Sequence, residues 1–173
     1  MDRQAWLDGV KQRFGFDTWP RRTGAMALSR TQGFVLNSGT WADTWVLEQR
    51  LPHGDSGYAD YFHHTENSNQ RIMVRISEYS SHEAALEAML SILSQSMTVT
   101  LPRLDERGVM VGDVGFCGYG EDIHSLVFVR HNILIDIRSI GDQAVAVVDP
   151  AKQVDAQIQT AVSQEDLSKE KKQ

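Results

Sequence analysis

Residues 133–138 read Ile-Leu-Ile-Asp-Ile-Arg, and residues 71–76 read Arg-Ile-Met-Val-Arg-Ile. Ile133, Ile135 and Ile137 alternate in the first stretch; Ile72, Val74 and Ile76 alternate in the second, 61 positions earlier. Period-two spacing puts alternate side chains on one face of a strand, so each stretch can bury one face and wet the other. An amphipathic helical segment follows each. After the first, Ser80 and Glu83 match a capping box. Ala85, Leu86, Met89, Leu90 and Leu93 then recur at helical spacing as far as about Met97. After the second, Asp149 reads as an N-cap with Pro150 at the first helical position. Val154, Ile158 and Val162 follow it at helical spacing.

Working outward, residues 125–130 pair naturally with 133–138 in a hairpin turning at His131-Asn132. Asn tolerates the left-handed backbone that a two-residue turn demands, whereas His is an unusual first residue. Residues 41–49, 58–63 and 71–79 read as three strands, separated by breaker clusters at 52–57 and 65–69. Residues 109–116 offer a further strand, interrupted by Gly112 and Gly115. At the N-terminus, Trp6, Leu7, Val10 and Phe14 lie on one side of a helix over 2–14 that ends at Gly15. In residues 16–39, Trp19-Pro20 and Gly24, Gly33 and Gly39 punctuate short apolar pieces, which leaves two readings: an irregular segment laid across the core, or one or two short strands.

The expectation is therefore an α+β fold: a single domain over 1–162 whose mostly antiparallel sheet has five to seven strands. An N-terminal helix precedes two βββα units, 41–97 and 109–162, and residues 163–173 form a flexible charged tail. The two units share alternation rather than residue identity. Over residues 41–162 the layout resembles small bacterial α+β domains in which a β-meander alternates with helices, and it carries no motif that singles out a family.

Composition narrows the function. A chain of 173 residues, 41% hydrophobic and 23% charged, supports one packed core. A net charge of −6 argues against a nucleic-acid partner, which needs a basic surface to displace counterions. Arg21-Arg22 and the C-terminal lysines are only local basic patches. No run approaches the roughly 20 apolar residues of a membrane span. The N-terminus lacks the apolar core of a secretory signal. The compartment expected of the chain as written is the cytoplasm, or a secreted or periplasmic setting if a leader has been removed. Cys117 stands alone, so no internal disulfide can form.

Five groups of residues invite a chemical reading. His53, His63 and His64, with nearby acids, are candidate metal ligands. Their spacing is poor, since adjacent residues of a strand point to opposite faces. Cys117, between Phe116 and Gly118, is a candidate nucleophile with His124 or His131 as its base, yet a lone cysteine at a strand end is more often apolar filler. Residues 118–122 (Gly-Tyr-Gly-Glu-Asp) faintly echo a phosphate loop but read better as a hairpin turn. Asp113 and Asp136 sit within apolar strands, where an inward-facing acid would have a raised pKa. Alternation sets Asp136 opposite the isoleucines, beside Leu134 and Arg138, where solvent or a cross-strand arginine can satisfy it. Finally, Trp41, Trp45, Tyr58, Tyr61 and Phe62 concentrate in the first third; most are expected in the core, and an exposed subset makes them candidate binding residues.

Since each catalytic pattern has a simpler structural explanation, the expected function is a non-enzymatic binding or interaction module, of the kind served by small bacterial accessory, chaperone-like or inhibitor proteins. Its expected partner is a protein or a small ligand, with no cofactor. The alternatives are a thiol-dependent hydrolase or transferase using Cys117, and a metal-binding protein using His53, His63 and His64.

Overall fold

The computed structural model describes residues 3–22, 33–41, 43–96 and 100–170. After helix α1 (Arg3–Phe14) come strands β1 (Trp45–Pro52), β2 (Gly57–His64) and β3 (Arg71–Glu78), then helix α2 (His82–Ser94). Strands β4 (Val114–Cys117), β5 (Ser125–Arg130) and β6 (Ile133–Ser139) follow, and helix α3 (Val148–Glu170) closes the fold. The six strands form one antiparallel sheet in the order β1-β2-β3-β6-β5-β4. Two meanders thus meet along β3 and β6. This is the expected single-domain α+β fold with an N-terminal helix.

The alternating stretches lie side by side in the centre, with Val74 opposite Ile137 and Ile76 opposite Ile135. Both triplets face one side of the sheet. There they pack with Phe62 and Phe128, under Val154, Ile158 and Val162 of α3. The segment carrying Leu36 and Trp41 closes the rest of that core. On the opposite side, Leu86, Met89, Leu90 and Leu93 of α2 cover Val127, Val129 and Leu134, with Phe14, Phe16 and Trp19 alongside. Burying each such side chain contributes on the order of 1.5–3 kcal/mol, so both helices are held by the stripe that their periodicity announced.

Several boundaries differ from the sequence reading for identifiable reasons. The cap of α2 is Ser81, whose hydroxyl accepts from the Ala84 N–H at 3.1 Å, not Ser80. Helix α2 ends at Ser94, and Met97 lies outside the described residues. Helix α3 begins at Val148, which places Asp149 inside the first turn, where its charge favours the helix dipole. The helix continues to Glu170 through most of the expected tail, a stretch rich in good helix formers such as Gln164, Leu167 and Lys169. Strand β4 starts only at Val114, since Gly112 adopts a φ of 70°. In the β5–β6 turn it is His131, with φ 54°, and not Asn132, that takes the left-handed conformation.

The two faces are covered unequally. Helix α2 packs over β5 and β6. On that same side, β1–β3 present the exposed Val46 and the partly exposed Tyr61, His63 and Arg75. Strand β1 is a sheet edge, and it carries a bulge between Leu47 and Gln49 and ends in Pro52, two features that discourage edge-to-edge pairing. Among the described residues, no helix is long and apolar enough to cross a membrane.

Candidate functional site

The sheet extends beyond the end of α2, and a groove of about 590 Å³ opens there. Ile92 and Leu93 form its helical wall, and Phe116 and Val127 its floor. His124, Ser125 and Arg138 stand among its polar residues, with Asp136 beside them. An apolar floor with a few convergent polar groups is the usual make-up of a small-molecule site.

Asp136 organises the polar side. Its carboxylate is almost fully buried and accepts from Arg138 Nε at 2.8 Å through Oδ1 and from Arg75 Nη1 at 3.3 Å through Oδ2. Alternation demands this placement: 75, 136 and 138 all face away from the isoleucine side. Two guanidiniums on one carboxylate leave a local charge of +1. Arg138 is about half exposed, and its Nη nitrogens have no hydrogen-bond partner among the described residues. The hydrogen bond to Asp136 raises the Arg138 pKa further, so this cation is permanent.

Cys117 and His124 both border the groove, but they alternate with Phe116 and Ser125 and turn toward the α3-side core, which Cys117 joins and where His124 meets Val145. The thiol's hydrogen-bond partner is the Pro102 carbonyl, at 3.8 Å. His124 Nδ1 lies 3.0 Å from the Val145 carbonyl, which can only accept, so Nδ1 carries the proton. Burial pushes the Cys117 thiol up, away from the thiolate a nucleophile needs.

His131 lies elsewhere, in a buried charge cluster with Asp113. Asp113 receives two bonds from Arg22, at 2.6 and 3.0 Å, one from Arg130 at 3.1 Å and one from the His131 backbone N–H at 2.8 Å. Arg130 continues to Asp155 of α3 through two contacts of 2.7 Å. The sequence left open a raised pKa for Asp113. Burial does push it up, but the hydrogen bonds and charge of Arg22, joined by His131 N–H and Arg130, outweigh burial, and the net direction is down. Burial and the neighbouring Arg22 charge hold the His131 imidazole at about 4. With every carboxylate oxygen of this cluster engaged, it reads as a clamp joining Arg22, β4, β5 and α3.

The aromatic candidates divide. Trp41, Trp45 and Phe62 are core residues; Trp41 stacks at a tilt on Phe62 with centroids 5.0 Å apart, and Trp45 meets the edge of His64 at 5.2 Å. Tyr58 is tied down by the Leu36 N–H, which donates to its hydroxyl at 2.6 Å. Tyr61 alone of the five lies on the open face of β1–β3. His63 and His64 point to opposite sides of β2; His63 Nδ1 lies 3.1 Å from Glu48. His53 sits in the exposed β1–β2 turn, and among the described residues no group of three or more His, Cys, Asp or Glu is disposed to hold a metal ion. Residues 118–122 form the turn between β4 and β5.

No protein-family model, curated protein or solved structure matches this chain, so the site is read from its own geometry. The sequence reading did not single out Arg138 as a candidate site residue. Its signal was present in the alternation of Arg75, Asp136 and Arg138, but where α2 stops, which exposes Arg138 beside an apolar floor, was not.

Proposed function

We propose that this protein is a non-enzymatic binding module whose ligand seats in the groove beside the end of α2. The observation that carries the reading is the pairing of a half-exposed guanidinium with an apolar floor in one concavity of small-molecule size. Thiol chemistry is the weaker reading, because the Cys117 thiol lacks an imidazole partner and its pKa moves in the wrong direction for a nucleophile.

Mapping amide shifts against a fragment library tests the proposal. Hits should cluster on Ile92, Ser125, Leu126 and Arg138, and a Cys117→Ser variant should keep them. Hits scattered over the surface, or none, would overturn it. Rapid labelling of native Cys117 by iodoacetamide at neutral pH would instead favour the thiol reading.

A further inference from the structure

We infer that the ligand of this groove is an aliphatic carboxylate, its headgroup held by Arg138 and its chain laid along the apolar floor. The inference rests on the binding-module reading above and adds the chemical class. Three observations converge on it. The charge accounting comes first. Asp136 is the acid among the residues that line the groove, and both its oxygens are engaged, Oδ1 by Arg138 Nε and Oδ2 by Arg75 Nη1. It therefore anchors the arginines and is spent as a partner for a cationic ligand.

The second observation is the donor set. Arg138 uses Nε on Asp136, which fixes the plane of the guanidinium and leaves the Nη nitrogens for a second carboxylate. A planar fork of donors matches a carboxylate better than any neutral headgroup. Ser125, directly opposite Arg138 in the β5–β6 register, adds a hydroxyl on the same face of the sheet.

Third is the division of the surface. Ile92, Leu93 and Leu101 stand across from Phe116 and Val127, and all five are apolar. Leu93, Phe116 and Val127 are nearly buried, so the apolar area left to a ligand is mainly that of Ile92 and Leu101. A compact polar anion would leave it wet, and a purely apolar molecule would strand the guanidinium without a partner. An anion with an aliphatic chain satisfies both at once. The protein's overall charge of −6 would otherwise repel such a ligand, which makes the local positive charge the selective element.

The test uses three probes with one chain and different heads: octanoate, octanol and octylamine, titrated into the full chain by calorimetry and by amide shifts. Octanoate should bind with shifts confined to the groove, octanol at least tenfold more weakly, and octylamine more weakly again. Arg138→Met should lower octanoate to the affinity of octanol without changing octanol, and Arg138→Lys should restore part of the preference. Ile92→Glu, at a half-buried position on the helical wall, should abolish octanoate binding and serves if Arg138→Met fails to fold. Equal binding of octanoate and octanol in the groove would overturn the headgroup assignment and leave the groove as a binding site. Preferential binding of octylamine would overturn it too, by making Asp136 the recognition element. Absence of groove shifts with every probe would overturn the inference and the binding-module reading together.

Discussion

Arg75 and Asp136 are direct cross-strand partners at the centre of the sheet, Nη1 to Oδ2 3.3 Å, and they stand 61 residues apart. The same displacement carries Ile72, Val74 and Ile76 onto Ile133, Ile135 and Ile137. Arg75 is therefore paired with its own counterpart in the second unit. In an antiparallel pair related by a two-fold axis normal to the sheet, one position alone has this property. The palindromic strand order β1-β2-β3-β6-β5-β4 follows from the same axis. The helices do not obey it: α2 lies on one face and α3 on the other. What repeats is the three-stranded meander, while each helix goes to the face that lacks cover.

Because the central pair is largely shielded, it should be coupled energetically. A double-mutant cycle on Arg75→Met and Asp136→Asn, followed by urea unfolding, should give a coupling of about 1–2 kcal/mol, reduced from a fully buried pair by the partial exposure of Arg75. Arg138 keeps Asp136 partnered in the single mutant, which holds the cost of Arg75→Met below the several kcal/mol of an orphaned charge. A coupling indistinguishable from zero would mean the pair is incidental to the sheet.

Stability should fall on mild acidification, in two stages. The folded His131 titrates at about 4, against an ordinary 6.5, owing to burial and then to the charge of Arg22; Arg130 and His82 add to this and Asp113 opposes it. Between those values the unfolded chain binds the extra proton, so stability rises with pH. The contribution is complete above about pH 6.5 and is lost by about pH 4, at most about 3 kcal/mol. Asp113 is shifted the other way in charge terms: its lowered folded pKa gives stability that is full above 3.8 and disappears below it. Urea midpoints at pH 7, 5.5 and 4.5 should decline steadily in wild type. His131→Asn, which suits the positive φ better, should flatten that decline; an equally steep decline would relocate the effect to another group.

How much of this was legible in the sequence depends on the range of the interaction involved. Alternation at Ile72–Ile76 and Ile133–Ile137 is local, and it placed the central strands and the faces of Asp136 and Arg138. The stripe from Ala85 to Leu93 did the same for α2. By contrast, the Arg22–Asp113 contact spans 91 residues and leaves no local trace. The segment 33–41 forms no strand, and its one regular piece is a 3-10 turn over Ser38–Trp41, so the strand expected from Trp41 starts only at Trp45. Side chains from elsewhere hold it, the Leu36 N–H donating to Tyr58 and the Asn37 N–H to Gln157 at 2.8 Å. The cluster of aromatics in the first third predicts mostly core residues with an exposed subset, and composition cannot say that Trp41 and Trp45 fall in the former and Tyr61 in the latter. The groove exists only because a helix ends short of the sheet beneath it, and helix ends are the least determined part of a periodic pattern.

Ile135 is fully buried at the heart of the α3-side core. Ile135→Asp should therefore cost about 4–5 kcal/mol or prevent folding, since an unpaired carboxylate would displace the central isoleucine. Ile135→Val removes one methylene and should cost only about 0.5–1.5 kcal/mol. Thermal melts followed by circular dichroism would separate the two. A melting temperature for Ile135→Asp within a few degrees of wild type would contradict the facing of β6.

Two glycines should respond to alanine in opposite directions, although neither belongs to a core. A Cβ at Gly141 would collide with the Asn69 carbonyl oxygen and stand 2.7 Å from the Arg71 nitrogen, both main-chain atoms that cannot yield like a side-chain tip. The close approach is fixed by backbone bonds on either side, Ile140 N–H to Arg71 O at 2.9 Å and Gln143 N–H to Asn69 O at 3.1 Å. Gly141→Ala should thus break the join between β6 and the β2–β3 turn and cost about 2–3 kcal/mol. Gly9, by contrast, lies within α1, and a Cβ there meets nothing within 4 Å. Gly9→Ala should stabilise by about 0.5–1 kcal/mol through helix propensity alone. At roughly 2–4 °C per kcal/mol for a chain of this size, both shifts are within reach of a thermal melt. A neutral Gly141→Ala would show that the turn and the end of β6 do not meet as closely as these atoms require.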